Sequence, residues 1–305
     1  MAPRLLANAG WVYRSPRLGI AAWYAVVGAV FTAAAGALVA VVAPWQAADA
    51  PICAVWRWCV QATRGDFGVI GRIAGMAAFV VGLAMAARLV ITGVRLTRAA
   101  SVRRGAHRRM LAVAGRTVPE LGATVVENPQ PAAYLVAGTG RLVVITSGAL
   151  DQLRADEVAA VLAHERAHAA GRHDLLLDGV RLLNLAFPRM SLFAVARAQL
   201  TRLVEIRADE VATQQHARIS LARALVAMAT ASAATRPSPA LAGVAAVGGD
   251  AAERLHRLLT PPAPLARAHA MALAGVIAAL AIAPAILVAA TFVHPVLGMC
   301  PPLPT

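Results

Sequence analysis

The composition of this 305-residue chain excludes a wholly soluble protein and a disordered one, because 59% of its residues are hydrophobic and only 14% are charged. An ordinary soluble domain is about half apolar and about a quarter charged. The formal net charge is +14, from 29 basic residues, all arginine, against 15 acidic ones. This charge favours a membrane surface or an acidic partner, and a nucleic-acid partner is not expected.

Three long apolar segments predict transmembrane helices. A helix needs about 20 apolar residues to cross a bilayer. The first and third segments contain no Asp, Glu, Lys or Arg, and the second has only Arg72 and Arg88 near its two ends, where the side chains can extend to the headgroups. The predicted spans are residues 18–43, 69–94 and 268–293.

The distribution of arginine predicts how these spans are oriented. Arginines precede the first span, and seven more lie in the segment 95–116, directly after the second. Since cytoplasmic flanks carry the arginine excess, both regions are predicted to be cytoplasmic, with the basic segment anchoring at an anionic inner leaflet. The expected layout is a membrane anchor at 1–98 with an external loop at 44–68, a cytoplasmic domain at 99–267, the third span, and an external tail at 294–305.

The three cysteines fall in the two segments predicted to be external. They are Cys53, Cys59 and Cys300. A disulfide can persist outside the cell, but pairing cannot be deduced from sequence, so a Cys53–Cys59 bridge and free thiols remain alternatives.

The internal segment has the pattern of an α+β domain, mainly helical with a small sheet. Strands are predicted at Ala123–Val126, Tyr134–Ala137 and Arg141–Thr146, with a glycine-containing hairpin turn between the last two. If the strand Leu142–Thr146 lies at a sheet edge, it can pair with an extended substrate.

Helical periodicity begins at Arg154, and the first helix is predicted to stop at Gly171. A leucine-rich amphipathic helix follows at Asp174–Phe187. Its charges disfavour a full membrane crossing, so burial in the domain or partial insertion into the inner leaflet is expected.

Pro188 is predicted to separate this helix from another that continues to about Arg218. The Ala-, Ser-, Pro- and Gly-rich stretch Ala231–Gly249 is predicted to be a loop. A short helix at Glu253–Leu259 is predicted to end the domain.

The first helix contains an HExxH motif, from His164 to His168. One helical turn separates the histidines, so both imidazoles project from one face and can bind a single Zn²⁺. Glu165 is the candidate general base. The flanking residues are apolar, which indicates a buried helix, and buried histidines without a metal would be costly.

A catalytic zinc site needs a third protein ligand. Glu205, on the helix after Pro188, is the favoured candidate, and Asp209 is predicted to accept the ring N–H of a ligand histidine from one turn further along. The alternative is that both carboxylates pair with Arg202 or Arg207 on a solvated face.

Three other residues bear on the site. His173 comes one position too early for the extended pattern HExxHxxGxxH. Asp174, at the spacing of that pattern, is a weaker candidate ligand. His216 is a weak candidate for stabilising an oxyanion.

Taken together, the motifs resemble those of the BlaR/MecR-type membrane zinc metallopeptidases. The resemblance covers about residues 120–265. It rests on the HExxH motif, on Gly171–Leu176, on Glu205–Asp209 and on the preceding Val143–Gly148. The stretch Arg254–Pro262 is also similar to that of the family. HtpX-type integral membrane proteases have a similar HExxH and ExxxD arrangement and are the nearest alternative.

The resemblance implies a zincin-like domain of the gluzincin type, with one zinc ion held by His164, His168 and Glu205 and with Glu165 as catalyst. It also implies a cytoplasm-facing protease held by flanking spans. The beta-lactam receptors continue into an external penicillin-binding domain, whereas this chain ends twelve residues after Val293. Beta-lactam acylation of this chain is therefore not expected.

The predicted function is a membrane-embedded zinc endopeptidase that cleaves a cytoplasmic or membrane-proximal protein. A regulatory role is favoured, such as cleavage of a repressor or signalling protein, with a separate sensor or repressor protein as a partner. The alternatives are membrane protein quality control and a receptor or scaffold whose metal site is not catalytic.

Overall fold

The computed structural model describes residues 2–42, 69–138, 140–234 and 241–296. The predicted external loop, its Cys53 and Cys59, and Cys300 lie outside the described residues, as does most of the predicted external tail. The chain divides into two compact units. One comprises Met1–Ile20 and Gly93–Leu265, and the other comprises Ala21–Thr92 and Ala266–Thr305.

The apolar segments form three long helices. After two short helices, α1 (Ala2–Ala7) and α2 (Gly10–Arg14), come α3 (Pro16–Val42) and α4 (Val69–Ala114), and α11 (Arg267–Val296) ends the described chain. Each contains a stretch long and apolar enough to cross a membrane.

Helix α4 continues 20 residues beyond the predicted end of the second span. The continuation, residues 95–114, is rich in arginine and alanine and contains no proline. These residues are strong helix formers, so the helix continues even though the apolar character ends.

A four-stranded sheet follows α4 directly. Its strands are β1 (Gly115–Val118), β2 (Ala123–Val126), β3 (Ala133–Val136) and β4 (Leu142–Thr146). The spatial order is β1-β2-β4-β3, with β2 and β4 parallel and the outer pairs antiparallel. Pairing of Leu142–Thr146 with a substrate required this strand to lie at an edge, and the structure does not meet that condition, because β4 pairs on both sides and β3 is the edge strand beside it.

The β3–β4 hairpin formed as predicted. Val136 lies opposite Leu142, and the turn between them contains Gly138 with φ of 131° and Gly140 with φ of 67°. Residues other than glycine rarely adopt these values, so the two glycines fix the length of the turn and the register of the pair.

Six helices complete this unit. They are α5 (Ser147–Gln152), α6 (Ala155–Ala170), α7 (His173–Ala186), α8 (Ser191–Ala212), α9 (Arg218–Ala234) and α10 (Leu241–Leu259).

Two helix predictions need correction. The helix after Pro188 ends at Ala212, because the chain turns and returns as α9, which buries Leu221 against the same core as α6. Of the predicted loop Ala231–Gly249, the structure describes residues 231–234 and 241–249 as helix. Alanine is the best helix former, and α10 gains a core contact through Leu258.

The main core lies between the sheet and helices α6, α9 and α10. Val125 and Ile145 from the sheet meet Val158 and Leu162 of α6, and all four side chains are buried. This packing holds one face of α6 in the core and leaves the neighbouring face, with the HExxH motif, to form a site with α8.

Candidate metal centre

Helix α6 brings the two motif histidines together. Its first turn is closed by a hydrogen bond from the Arg154 backbone N–H to Glu157 Oε2, 3.0 Å long. One turn separates His164 from His168, and their Nε2 atoms lie 3.1 Å apart. Both rings therefore direct the same nitrogen to one point beside the helix.

Helix α8 supplies a carboxylate at that point. Glu205 Oε2 lies 3.5 Å from His164 Nε2, and Glu205 Oε1 lies 3.5 Å from His168 Nε2. Choosing one donor atom from each side chain, all three atoms lie within 4.8 Å of one another. The structure thus brings together the three residues that the sequence analysis selected.

These separations fit a tetrahedral zinc site. Zinc binds histidine nitrogen and carboxylate oxygen at about 2.0–2.2 Å, so two donors of a tetrahedron are separated by about 3.3–3.5 Å, from tetrahedral geometry with those bond lengths. The two histidine nitrogens are 3.1 Å apart, and each lies 3.5 Å from a different oxygen of Glu205, which is close to this spacing. Two imidazoles and one carboxylate are also a donor set that catalytic zinc sites use, with a fourth position open to water.

Asp209 fixes the orientation of His164. Asp209 Oδ1 lies 2.9 Å from His164 Nδ1, the ring nitrogen on the side away from the donor group. Both residues are buried. A carboxylate on this nitrogen holds the proton there and leaves Nε2 free to bind a metal.

Arg254 is a part of this centre that sequence reasoning missed. Its Nε and Nη2 donate to both oxygens of Asp209 at 2.8 and 2.7 Å, and its Nη1 lies 3.0 Å from Glu205 Oε2. The expected alternative partners pair elsewhere, Arg202 with Glu253 and Arg207 with Glu210. The only sequence signal for Arg254 was its place in a stretch that is similar to the BlaR/MecR-type peptidases.

His173 is a second missed contributor. It is buried, and its Nδ1 lies 2.9 Å from His168 Nδ1. When Nε2 of a histidine binds a metal, its Nδ1 carries the ring proton, so His168 then donates to His173. Gly171 makes room for this ring, since a Cβ at that position would collide with His173 Nε2. His173 thus lies behind His168 instead of facing the donor group.

The two weaker candidates lie elsewhere. Asp174, at the start of α7, has its carboxylate 3.8 Å from Arg141 Nη2. His216 lies in the turn between α8 and α9. Among the residues that the structure describes, neither belongs to the His164–His168–Glu205 donor group.

Two of the three donors are in the form that binds a metal, and the third is not. Burial lowers the pKa of His168 to about 4, so its ring is neutral at pH 7. For Glu205, burial raises the pKa, but the His164 hydrogen bond and the charge of Arg254 outweigh it and lower the pKa to about 2. A neutral imidazole and an ionised carboxylate are the forms that bind metals. For His164, burial lowers the pKa, but Asp209 and Glu205 beside the ring outweigh it and raise the pKa to about 9, so a metal would have to displace a proton from this imidazole.

Glu165 has a different environment. Burial raises its pKa to about 7, despite the opposing charge of His164 and a backbone hydrogen bond from Leu135 of the edge strand β3. A general base works best when its pKa lies near the operating pH. The environment of Glu165 is therefore suited to accepting a proton and returning it.

Comparison with known proteins identifies the family. The family model of peptidase family M48 matches residues 97–258, more than half of the chain. The chain belongs to peptidase family M48. No curated protein and no solved structure matches it.

Membership of family M48 confirms the prediction of a zinc metallopeptidase. It argues against the alternative of a receptor or scaffold with a silent metal site. It also agrees with the geometry, because the matched residues 97–258 contain the donor group, Asp209 and Arg254.

In this M48 peptidase, Arg254→Gln is expected to weaken zinc binding by roughly 10–100-fold, the effect typical of losing a supporting partner of a metal ligand. Asp209 and Glu205 would lose the cation that neutralises them, and Asp209 would hold His164 less firmly. Zinc affinity is measured by competition with a chelator.

The matched control for this substitution is Arg223→Gln, which changes an exposed arginine of α9. It is expected to leave zinc affinity unchanged. Wild-type affinity in Arg254→Gln would show that Arg254 does not position the ligands.

Proposed function

We propose that this M48 peptidase is a membrane-embedded zinc endopeptidase in which His164, His168 and Glu205 bind the metal and Glu165 is the catalytic base. The observation that carries the proposal is the convergence of two imidazole nitrogens 3.1 Å apart and the Glu205 carboxylate, whose two oxygens each lie 3.5 Å from one of them, next to Glu165 in the same motif.

His164, His168 and Glu205 would hold the zinc ion, which when bound would supply acidification of a water molecule and polarisation of the scissile carbonyl. Glu165 takes the proton of the attacking water at its carboxylate and later delivers it to the leaving amine. Asp209 keeps the proton of His164 on Nδ1, and His173 accepts the Nδ1 proton of His168. These two contacts hold both imidazoles in the required tautomer and orientation.

The edge strand β3 is the proposed binding place for the substrate backbone. It ends the sheet order, and the Leu135 backbone lies within hydrogen-bonding reach of Glu165. An extended peptide added to this edge would form main-chain hydrogen bonds with β3 and pass beside the catalytic carboxylate. Such recognition selects extended backbone, so the substrate is proposed to be a protein or peptide.

The proposed location is the cell membrane, with several spans. The three apolar helices support it. The excess of arginine before the first span and after the second supports a cytoplasmic N-terminus and peptidase domain, with the C-terminus outside. The substrate is then a cytoplasmic or membrane-proximal protein.

The proposed role is regulatory, as in the BlaR/MecR-type peptidases that the motifs resemble, with a repressor or signalling protein as substrate and a separate sensor as partner. HtpX-like quality control of membrane proteins is the second candidate, because the HExxH and Glu205–Asp209 arrangement is common to both groups.

The two roles are separated by the number of proteins cleaved. We expect cells with the wild-type protein to lose one discrete intact protein that accumulates in cells with Glu165→Gln, and quantitative proteomics of both strains measures this. Stabilisation of many misfolded membrane proteins instead would contradict the regulatory role and support quality control.

A further inference from the structure

A cavity of about 150 Å³ adjoins the metal centre and shares Asp209 and Arg254 with it. It lies among the N-terminal segment, α8, α9, α10 and the proline-rich stretch after α10, all within one compact unit. A single water needs roughly 10–15 Å³, so the cavity has room for a group the size of phosphate. Its charged lining residues are Arg14, Asp209, Glu210, Arg218, Arg254 and Arg257.

The two acidic residues of the lining are already paired. Asp209 accepts two hydrogen bonds from Arg254, and Glu210 Oε2 lies 3.3 Å from Arg207 Nη1. Arg254 and Arg207 therefore largely neutralise the negative charges of Asp209 and Glu210. The other three arginines of the lining depend on different partners.

Arg14 and Arg257 are held by backbone carbonyls. Arg14 donates to the carbonyl oxygens of Ala263 and Pro264 at 3.0 and 3.2 Å. Arg257 Nη2 donates to the Tyr13 carbonyl oxygen at 2.7 Å. A carbonyl fixes the direction of a guanidinium but carries no full negative charge, so these hydrogen bonds hold both side chains in place without neutralising them. Glu210 and Asp209 act on Arg257 electrostatically, without a direct ion pair.

The N-terminal segment that carries Arg14 contacts α8 through the neighbouring residue, Tyr13. The Tyr13 hydroxyl donates to Gln199 Oε1 at 2.6 Å, and the guanidinium of Arg202 lies 4.9 Å from the centre of the Tyr13 ring. These contacts fix the residue next to Arg14, so the cavity wall on this side is built by the fold.

Arg218 completes the basic lining. It is the exposed first residue of α9, and within the described ranges it makes no ion pair with a carboxylate. Burial lowers the pKa of Arg257, although Glu210 opposes the shift. This direction agrees with a guanidinium that lacks a direct anionic partner.

We infer that Arg14, Arg218 and Arg257 form a binding site for a phosphate-bearing anion. Guanidinium groups present paired N–H donors in a planar fork that matches phosphate oxygens. Three such groups around one cavity supply both the charge and the donors, and Asp209 and Arg254 close its inner wall.

The favoured source of this phosphate is the headgroup of an inner-leaflet phospholipid. Arg14 lies two residues before Pro16, where the apolar helix α3 and its candidate span begin. Basic pockets at the cytoplasmic ends of membrane helices bind anionic headgroups. A soluble phosphate ester shares the same chemistry and is the other source.

The test is a titration of the full chain in detergent micelles, in which native mass spectrometry measures the bound ligand. The probes are dioctanoyl phosphatidic acid, inorganic phosphate and decanoate, an amphiphile with a carboxylate in place of the phosphate. Arg218→Gln changes an exposed residue and is compared with Arg223→Gln, an exposed arginine on the same helix but outside the cavity.

We expect saturable binding of phosphatidic acid that weakens roughly tenfold or more in Arg218→Gln, as for the loss of one charge-assisted hydrogen bond, and stays unchanged in Arg223→Gln. The same dependence with inorganic phosphate alone would support the site and assign it to a soluble ligand. Absence of saturable binding, equal binding of decanoate, or an equal loss in both variants would overturn the inference. Because binding is measured directly, the result is independent of peptidase activity.

Discussion

Glu165→Gln is expected to reduce peptide hydrolysis by roughly 10²–10⁴-fold, the contribution typical of general acid–base catalysis. The carboxylate of Glu165 can take a proton from water, and burial raises its pKa to about 7. The amide of glutamine cannot accept that proton. The zinc content should stay at the wild-type value, because the donor group consists of His164, His168 and Glu205. Hydrolysis of a quenched fluorescent peptide and elemental analysis of the same preparation measure both quantities.

The control for this variant is Glu127→Gln, which makes the same chemical change at an exposed position outside the site. It should retain wild-type hydrolysis. Activity in Glu165→Gln equal to that of Glu127→Gln would remove Glu165 from the mechanism, whatever the metal content.

Glu205→Ala is expected to lose both zinc and activity. The substitution removes one of three donors, so zinc affinity should fall by more than the roughly 10–100-fold typical of a lost supporting hydrogen bond. His164 and His168 keep their spacing, so residual weak binding is expected at high zinc concentration. Chelator competition measures the affinity, and added zinc tests whether activity is partly restored.

Glu210→Ala is the matched control, since Glu210 lies on the same helix and pairs with Arg207 instead of the donor group. It should keep stoichiometric zinc. If Glu205→Ala bound zinc as tightly as Glu210→Ala, a different residue would have to supply the third ligand.

The parts of the centre that local sequence determines were predictable. The histidines of HExxH are one helical turn apart, so any helix over this segment places them on one face. Glu205 and Asp209 have the same spacing, so one face of α8 presents both carboxylates. Strand β2 was predicted with its observed bounds because three β-branched residues follow Ala123.

The contribution of Arg254 was not predictable because it depends on tertiary packing. Arg254 is 45 residues from Asp209 in sequence, whereas Arg202 and Arg207 are neighbours of Glu205 and were the natural local partners. The position of Arg254 follows from α10 packing near α8, and the sequence of α10 mixes helix-forming alanines with glycines. Composition alone therefore did not distinguish a loop from a helix before Glu253.

The strand order of the sheet was not predictable for a similar reason. The sequence predicts the hairpin of β3 and β4 but does not say which of these strands lies at the edge. The chain pairs β2 with β4 in parallel and returns β3 to the outside. This long-range pairing buries Val125 and Ile145 together in the core, a gain that no local pattern reveals. The consequence is functional, because β3, and not β4, lies beside Glu165.

X-ray absorption at the zinc edge of the purified full chain tests the central claim most directly. The account predicts two imidazole nitrogens and additional oxygen donors at about 2.0–2.2 Å, with no sulfur near about 2.3 Å. It also predicts a clear change in the spectrum of Glu205→Ala prepared at saturating zinc. A sulfur shell in the wild type, or identical spectra for the two proteins, would contradict a metal held jointly by His164, His168 and Glu205.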